Sequence, residues 1–484
     1  MLFNSISFII FLPIVFLLYW FIFPKTKTSQ NSLLVLASFV FYMFWDWRFS
    51  LLLIFSILFN YYCAIFIESN ESHKRRLFYL RFCVIINISV LGFFKYFNFF
   101  VSSINVLLSN IGLDIDTWTL NIILPIGISF YTFHGLSYIL DVYYKRINTH
   151  RNIIDYTLFV SYFPLLVAGP IERATHLLPQ LKVKRSFNYR QGVEGLELII
   201  WGFFKKLVIA DSLSPIVADI FGNAETYNPS ALIIGALAFA FQVYGDFSGY
   251  TDIARGVSKL FGIELLLNFN FPYFSRTIPE FWSRWHISLS SWLNDYVFLP
   301  IALRFRQFEK NGVFIAVLST FAISGLWHGA AWHFIAWGIY HGLLYLPYIY
   351  TGKGLRSIFG KKNENLSIAD IPSVFLTFIL VLFGYILFRA DNLSVAWTYI
   401  SNIFSNPLFE IPNFEGKIRL LITLFFVSVM LFSEGFSKNE NNPLTYFVSK
   451  SKLKLLRWLI YSVLLVIIGM YMNNNVSSFI YFQF

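Results

Sequence analysis

Two histidines stand among neighbours that could support proton transfer. His328 lies in Gly325-Leu-Trp-His-Gly-Ala-Ala-Trp-His333, inside an apolar run over 313–350. His286 lies in Phe281-Trp-Ser-Arg-Trp-His-Ile-Ser-Leu-Ser-Ser-Trp-Leu-Asn-Asp-Tyr296, which holds three Trp, four Ser and Arg284 in sixteen residues. An imidazole with an unperturbed pKa near 6.5 takes or gives a proton close to neutral pH. Held beside a thioester and a hydroxyl, a neutral imidazole is a suitable general base for acyl transfer. A lone histidine on an apolar helix is commonly just hydrogen-bonded structure, and a Trp- and Arg-rich stretch also fits an interfacial helix. Residue type alone does not decide.

Three further polar groups interrupt apolar sequence. Tyr244-Gly-Asp-Phe-Ser-Gly-Tyr-Thr-Asp252 places Asp246, Ser248 and Asp252 at the end of an apolar run that leads to Arg255. Carboxylates at membrane depth are costly and normally have a partner or a polar role. A salt bridge to Arg255 or Arg276 is the structural alternative. Leu124-Pro-Ile-Gly-Ile-Ser-Phe-Tyr131, continuing through His134 to Asp141, carries Pro125 and Gly127 where a helix could break. Helix packing is the simpler reading of those two residues. Pro164 to Pro170, followed by Glu172 and Arg173, reads as a re-entrant turn or as a helix end.

Other chemistries fit poorly. On one continuous helix His333 and His341 would each lie about 140° round from His328, and about 80° from one another. Such a helix cannot aim all three at a metal, and HExxH and paired-cysteine spacings are absent. No metal site is expected. GxSxG, P-loop and Rossmann glycine patterns are also missing. A secondary transporter with broken helices stays open as a rival, although no inverted repeat is visible.

These residues must be positioned by membrane helices. Of 484 residues, 57% are hydrophobic, 20% aromatic and only 13% charged. Soluble domains are usually about 45–50% apolar and about 25% charged. The mean hydropathy is +0.62, and runs of around 20 apolar residues recur along the chain. Composition therefore excludes a soluble enzyme, a disordered protein and a disulfide scaffold. The expected fold is an all-α integral membrane protein, with about 11–13 transmembrane helices plus re-entrant or interfacial segments. One polytopic domain over 1–484 is the simplest organisation. Its middle, from Tyr250 to Gln307, is rich in polar residues and broken by Pro272, Pro279 and Pro300. Such a stretch resides in a membrane only under protein cover or along a wet cavity.

The first apolar run, Leu2 to Phe23, exceeds a cleavable signal core and is expected to stay as a helix. Basic and non-basic connections then alternate: Lys25 and Lys27, a turn at Asp46–Arg48, Lys74–Arg76, Asp114 with Asp116, and Lys145–Arg151. This alternation predicts an outward N-terminus and three basic cytoplasmic loops. It also accounts for the net charge of +11 without nucleic acid, through anionic membrane lipids. Cys63 and Cys83, both in apolar stretches, read as buried free thiols.

Five of these stretches occur in a familiar order. Pro125-Ile-Gly-Ile-Ser-Phe-Tyr-Thr-Phe, Ala168-Gly-Pro-Ile-Glu-Arg, the Tyr244–Asp252 stretch, Phe281-Trp-Ser-Arg-Trp-His-Ile-Ser-Leu-Ser and Leu326-Trp-His-Gly-Ala-Ala-Trp form the series. Together they resemble the membrane-bound O-acyltransferase family, in its bacterial alginate-type polysaccharide O-acetylation branch. The motif-bearing core covers about 120–345. The resemblance implies a dozen or so helices around a central tunnel, with His328 as the essential base and His286 as the second family position. Asp246, Ser248, Asp252, Trp285, Trp327 and Trp332 would line the tunnel. Acetyl-CoA would be the donor, its phosphates suited to Arg304, Arg306 and Lys310, although ordinary positive-inside charge also explains that cluster.

An SGNH-type acetyltransferase outside the cytoplasmic (inner) membrane would complete transfer to a cell-envelope glycan. D-alanyl transfer to teichoic acid is the alternative within the family. Two departures, Asn294 before Asp295-Tyr296 and the missing Gly-Gly after Pro300, leave the acceptor glycan open.

Overall fold

The computed structural model describes residues 1–113, 119–351, 367–405, 410–437, 442–450, 453–472 and 479–480, and all regular structure among them is helical. Asp114 and Asp116 lie outside the described residues. Seven of the described helices are long and apolar enough to cross a membrane: Arg48–Ser69, His73–Asn110, Pro229–Leu260, Arg306–His328, Ile368–Arg389, Lys417–Phe436 and Lys454–Tyr471. Other apolar runs form shorter or interrupted helices. Ile6–Ile22 ends in a π turn, and Ile128–Tyr143 is 16 residues long. The run after Tyr189 passes through a π segment, Phe204–Ala210, before Asp211–Gly222. Counting apolar residues sees each run as one span; the backbone breaks several of them.

The chain forms two compact units. The first comprises Met1–Gly192 and Ser258–Leu265. Its core includes Phe8, Phe11, Phe41 and Phe163, with Phe11 and Phe163 edge to face at 5.4 Å. Its three basic loops converge. Lys27 Nζ lies 2.9 Å from Asp155, Arg151 lies 2.9 Å from Glu68, and Arg76 donates to the Tyr143 carbonyl at 2.5 Å. Charges separated by over a hundred residues in sequence are thus paired within this unit.

Gly127 has φ of 77° and immediately precedes the helix Ile128–Tyr143. A Cβ there would sit 2.0 Å from the Leu166 carbonyl oxygen, so glycine meets both the left-handed backbone and the close approach. The following helix carries His134, whose Nε2 accepts the Glu172 backbone N–H at 3.1 Å. Glu172 in turn lies 2.8 Å from His176 Nδ1, on the short helix Ala174–Leu181. Two of the polar groups found in the sequence therefore meet in this unit.

The hydrogen bond to Glu172 raises the His176 pKa above its ordinary value; burial opposes it, and the charges of Glu172 and Glu264 assist. A histidine raised in the fold stabilises fully below its unfolded pKa of about 6.5, and that contribution disappears as pH climbs through the folded value. The melting midpoint of the parent should therefore fall relative to His176→Asn as pH rises above about 6.5. Parallel pH profiles of the two proteins would contradict this.

The second unit comprises Val193–Val257 and Leu266–Phe484. Its central element is the 32-residue helix Pro229–Leu260. Glycines bring this helix against the helix Tyr189–Phe203. A Cβ at Gly249 would lie 2.7 Å from the Gly202 carbonyl oxygen, and one at Gly256 would lie 2.4 Å from that of Gly195. Two glycine pairs, each seven residues apart, thus let the backbones touch. That approach brings the π segment Phe204–Ala210 beside Asp246 and Asp252 of the long helix.

Candidate active site

The segment between Leu266 and Arg306 forms no full span. It contains the short helices Ile278–Arg284 and Ile287–Leu293, with His286 between them at φ 44° and ψ 51°. A left-handed conformation is uncommon for a residue other than glycine and costs about 1–3 kcal/mol where the surroundings impose it. Here the surroundings include Asn268. Its Oδ1 accepts the Ser288 backbone N–H at 3.2 Å and the Ser288 hydroxyl at 2.9 Å, and lies 3.0 Å from His286 Nδ1.

That arrangement assigns the imidazole tautomer. A backbone N–H only donates, so the Asn268 atom facing Ser288 is oxygen. His286 Nδ1 must then carry the hydrogen, which leaves a lone pair on Nε2 of the neutral ring. Among the described residues His286 Nε2 is buried without a hydrogen-bond partner. Phe247 meets the ring edge to face at 4.7 Å.

His328 is the last residue of the helix Glu309–His328, and Gly329 follows in extended conformation. The chain turns at 329–331 and returns as Trp332–Leu343. Gly325 and Gly338 permit this tight hairpin, since a Cβ at either would approach a carbonyl of the opposite helix within 2.2 Å. The 313–350 run is therefore broken into Glu309–His328, Trp332–Leu343 and Leu346–Thr351, and the angular comparison of its histidines across the first turn does not apply. The turn places His328 6.4 Å from His286 by ring centroids. Trp327, Trp337 and Phe388 surround His328 at 4.9, 5.1 and 5.3 Å.

The other two histidines of the hairpin have packing environments. His333 Nδ1 lies 3.1 Å from the Leu387 carbonyl. His341 is enclosed by Trp282 and Trp337, with ring centroids at 5.0 and 5.2 Å, against Gly384. Among the described residues no group of three His, Cys, Asp or Glu side chains is placed to hold a metal ion.

The acidic motif meets the expected Arg255 and, in addition, two lysines from another segment. Asp246 lies 2.6 Å from Lys206 Nζ and accepts the Ile480 backbone N–H at 2.6 Å. Lys206 also reaches Asp211 at 2.9 Å. Asp252 lies 2.5 Å from Lys205 Nζ and 3.5 Å from Arg255. Arg276 instead pairs with Glu280 at 3.1 Å. Both lysines belong to the π segment, a type of distortion that often marks functional sites. Their signal in the sequence was two cations within an apolar run, facing two carboxylates within another. Neither Asn268 nor the Phe479–Ile480 tail had such a signal.

The remaining candidates divide by location. Ser248 is buried, with no hydrogen-bond partner for its hydroxyl oxygen among the described residues. Trp285 is buried and stacks on Phe281 at 5.6 Å, and Trp327 is buried beside both histidines. Trp332 is different: it is 56% exposed at the start of its helix. Arg304, Arg306 and Lys310 are exposed, and Lys310 donates to the Tyr350 carbonyl at 2.9 Å. From Lys310 to His328 the helix rises about 27 Å. A donor anchored at the cluster therefore needs an extended arm to reach the histidines.

Comparison with known proteins extends the local geometry to the whole chain. The family model described as membrane-bound O-acyltransferase matches residues 136–388. A probable alginate O-acetylase of Azotobacter vinelandii is 39% identical over 92% of this chain and 87% of its own length. The peptidoglycan O-acetyltransferase of Helicobacter pylori is 34% identical over 82% of this chain and 78% of its own. A teichoic acid D-alanyltransferase of Bacillus subtilis is 30% identical over 55% of this chain and 69% of its own. The matched region contains the acidic motif, the paired histidines and the hairpin that brings them together, within a multi-pass helical protein: the chain belongs to the membrane-bound O-acyltransferase family.

Proposed function

We propose that this protein moves an acetyl group from acetyl-CoA to a hydroxyl of a cell-envelope or extracellular polysaccharide, working in the bacterial cytoplasmic membrane. The observation that carries the proposal is the approach of His286 and His328 to 6.4 Å between centroids in a buried aromatic setting. His328 accepts the proton of the attacking hydroxyl as its oxygen bonds to the thioester carbonyl carbon. The C–S bond then breaks, and the imidazolium returns the proton to the departing thiolate. His286 commits its Nδ1–H to Asn268 and offers only an acceptor nitrogen. It therefore assists by accepting a hydrogen bond, either from the hydroxyl or from protonated His328.

Arg304, Arg306 and Lys310 receive the coenzyme A phosphates, and an SGNH-type protein outside the membrane supplies the attacking hydroxyl and then passes the acetyl group from its own ester to a glycan hydroxyl. The N-terminus faces outward, with the converging basic loops in the cytoplasm. Acetyl rather than D-alanyl transfer is favoured by the extent of similarity. The two O-acetyl-transferring relatives match 92% and 82% of the chain, against 55% for the D-alanyl one.

The test uses purified protein in nanodiscs with radiolabelled acetyl-CoA, the glycan and the extracytoplasmic partner. Label is expected to enter the glycan as an alkali-labile ester. In sealed proteoliposomes, passage of label across the membrane without a new ester would support a transporter instead. Turnover only with a carrier-bound D-alanyl thioester would support the teichoic acid reading.

A further inference from the structure

The helices Arg48–Ser69 and His73–Asn110 enclose an apolar groove of about 530 Å³. That is within the volume range of small-ligand sites, about 300–1,000 Å³. Phe55, Phe59, Phe66, Phe78 and Phe82 line it, and four of these rings expose between 46 and 66% of their surface. The rings are ordered along the groove: Phe59 meets Phe82 at 6.0 Å, and Phe66 stacks on Tyr79 at 5.8 Å nearer the connecting turn. Such a slot accepts a flexible hydrocarbon chain.

Two cations share the helix face that borders the groove. At about 100° per residue, Lys74, Phe78, Arg81, Phe82 and Ile85 fall within about 100° of helix surface, and all five are exposed. Arg76, beside them, is occupied by the Tyr143 carbonyl and ring. Lys74 and Arg81 have no partner among the described residues. Arg81 stands about 12 Å along its membrane-spanning helix, where a charge facing lipid is expensive unless something neutralises it. Its guanidinium forms a planar fork suited to phosphate.

We propose that this groove binds one anionic phospholipid, with an acyl chain along the phenylalanines and the headgroup phosphate between Lys74 and Arg81. The chain chemistry and the charge call for a molecule that is apolar over most of its length and negative at one end. An anionic lipid has that form, and it belongs at the basic, cytoplasmic end of a membrane protein. A zwitterionic lipid supplies the chain without the net charge. The site lies in the first structural unit and is separate from the histidines, so it does not depend on the proposed reaction.

Native mass spectrometry of the full-length protein, released from mixed phosphatidylglycerol–phosphatidylcholine nanodiscs, tests this assignment. The parent is expected to retain one phosphatidylglycerol and to be thermally stabilised by added phosphatidylglycerol, but not by phosphatidylcholine or inorganic phosphate. Lys74→Ala/Arg81→Gln should lower the retained phosphatidylglycerol-to-phosphatidylcholine ratio at least five-fold, an energy of about 1 kcal/mol. Phe78→Ala/Phe82→Ala should weaken retention of both lipids, whereas Lys417→Ala, a cation in the second unit, should change neither. An unchanged ratio in the cation variant overturns the proposal. So does equal stabilisation of the parent by the two lipids, or by inorganic phosphate alone. If the cation variant does not fold, the comparison of lipids on the parent still decides.

Discussion

His328→Ala is expected to reduce acetyl transfer by roughly 10²–10⁴-fold, the usual contribution of a positioned general base, while donor binding persists. His286→Gln should show a smaller loss, because this residue offers an acceptor nitrogen without being the base. The tautomer argument adds a third variant. Asn268→Leu removes the oxygen that receives His286 Nδ1–H and both Ser288 donors, so imidazole orientation is lost along with the loop that carries it. Its kcat should fall while donor Kd stays within about two-fold. Single-turnover assays with radiolabelled acetyl-CoA, normalised to folded protein, separate these cases. Undiminished turnover in His328→Ala would remove that residue as the base, and greater damage from His286→Gln would exchange the two roles.

The second large effect is expected at Lys206. Its ammonium lies between Asp246 and Asp211, and the side chains of Lys206 and Asp246 are only 8% and 3% exposed. Removing one partner of a buried ion pair leaves an uncompensated charge and costs about 3–5 kcal/mol. Lys206→Met should therefore lower the melting midpoint sharply. Adding Asp246→Asn to that variant should recover much of the loss, since the stranded charge disappears and the Ile480 N–H retains an oxygen acceptor. The coupling is measured by a double-mutant cycle on protein in a single detergent.

Activity should not recover in parallel. Asp246 adjoins Phe247, whose ring sets the wall of the His286 pocket. A double variant with restored stability but poor turnover would show that this charge network positions the site as well as holding the fold. Additive losses would mean that Lys206 and Asp246 act independently.

Much of this protein was legible in its residues. Apolar runs with few charges require membrane helices, because backbone polar groups must be satisfied internally in lipid. The basic loops were visible too, and Lys27, Arg76 and Arg151 each find a partner within the first unit. The ordered motifs led to the acyltransferase family, and to His286 and His328 as the residues to follow.

Tertiary structure decided how those residues meet. Hydropathy treats 313–350 as one continuous run, whereas the chain breaks after His328 and folds back through close glycine contacts. That break places His328 near His286, 42 residues earlier in the sequence. The lysine and backbone partners of Asp246 and Asp252 were also hidden, because Lys205 and Lys206 come from a distant π segment and Ile480 from near the chain end. Hydrophobicity and charge order are local sums over neighbouring residues, so the sequence carries them directly. Ion pairing, tautomer and the distance between two imidazoles depend on contacts between remote segments, and only the packed backbone determines those.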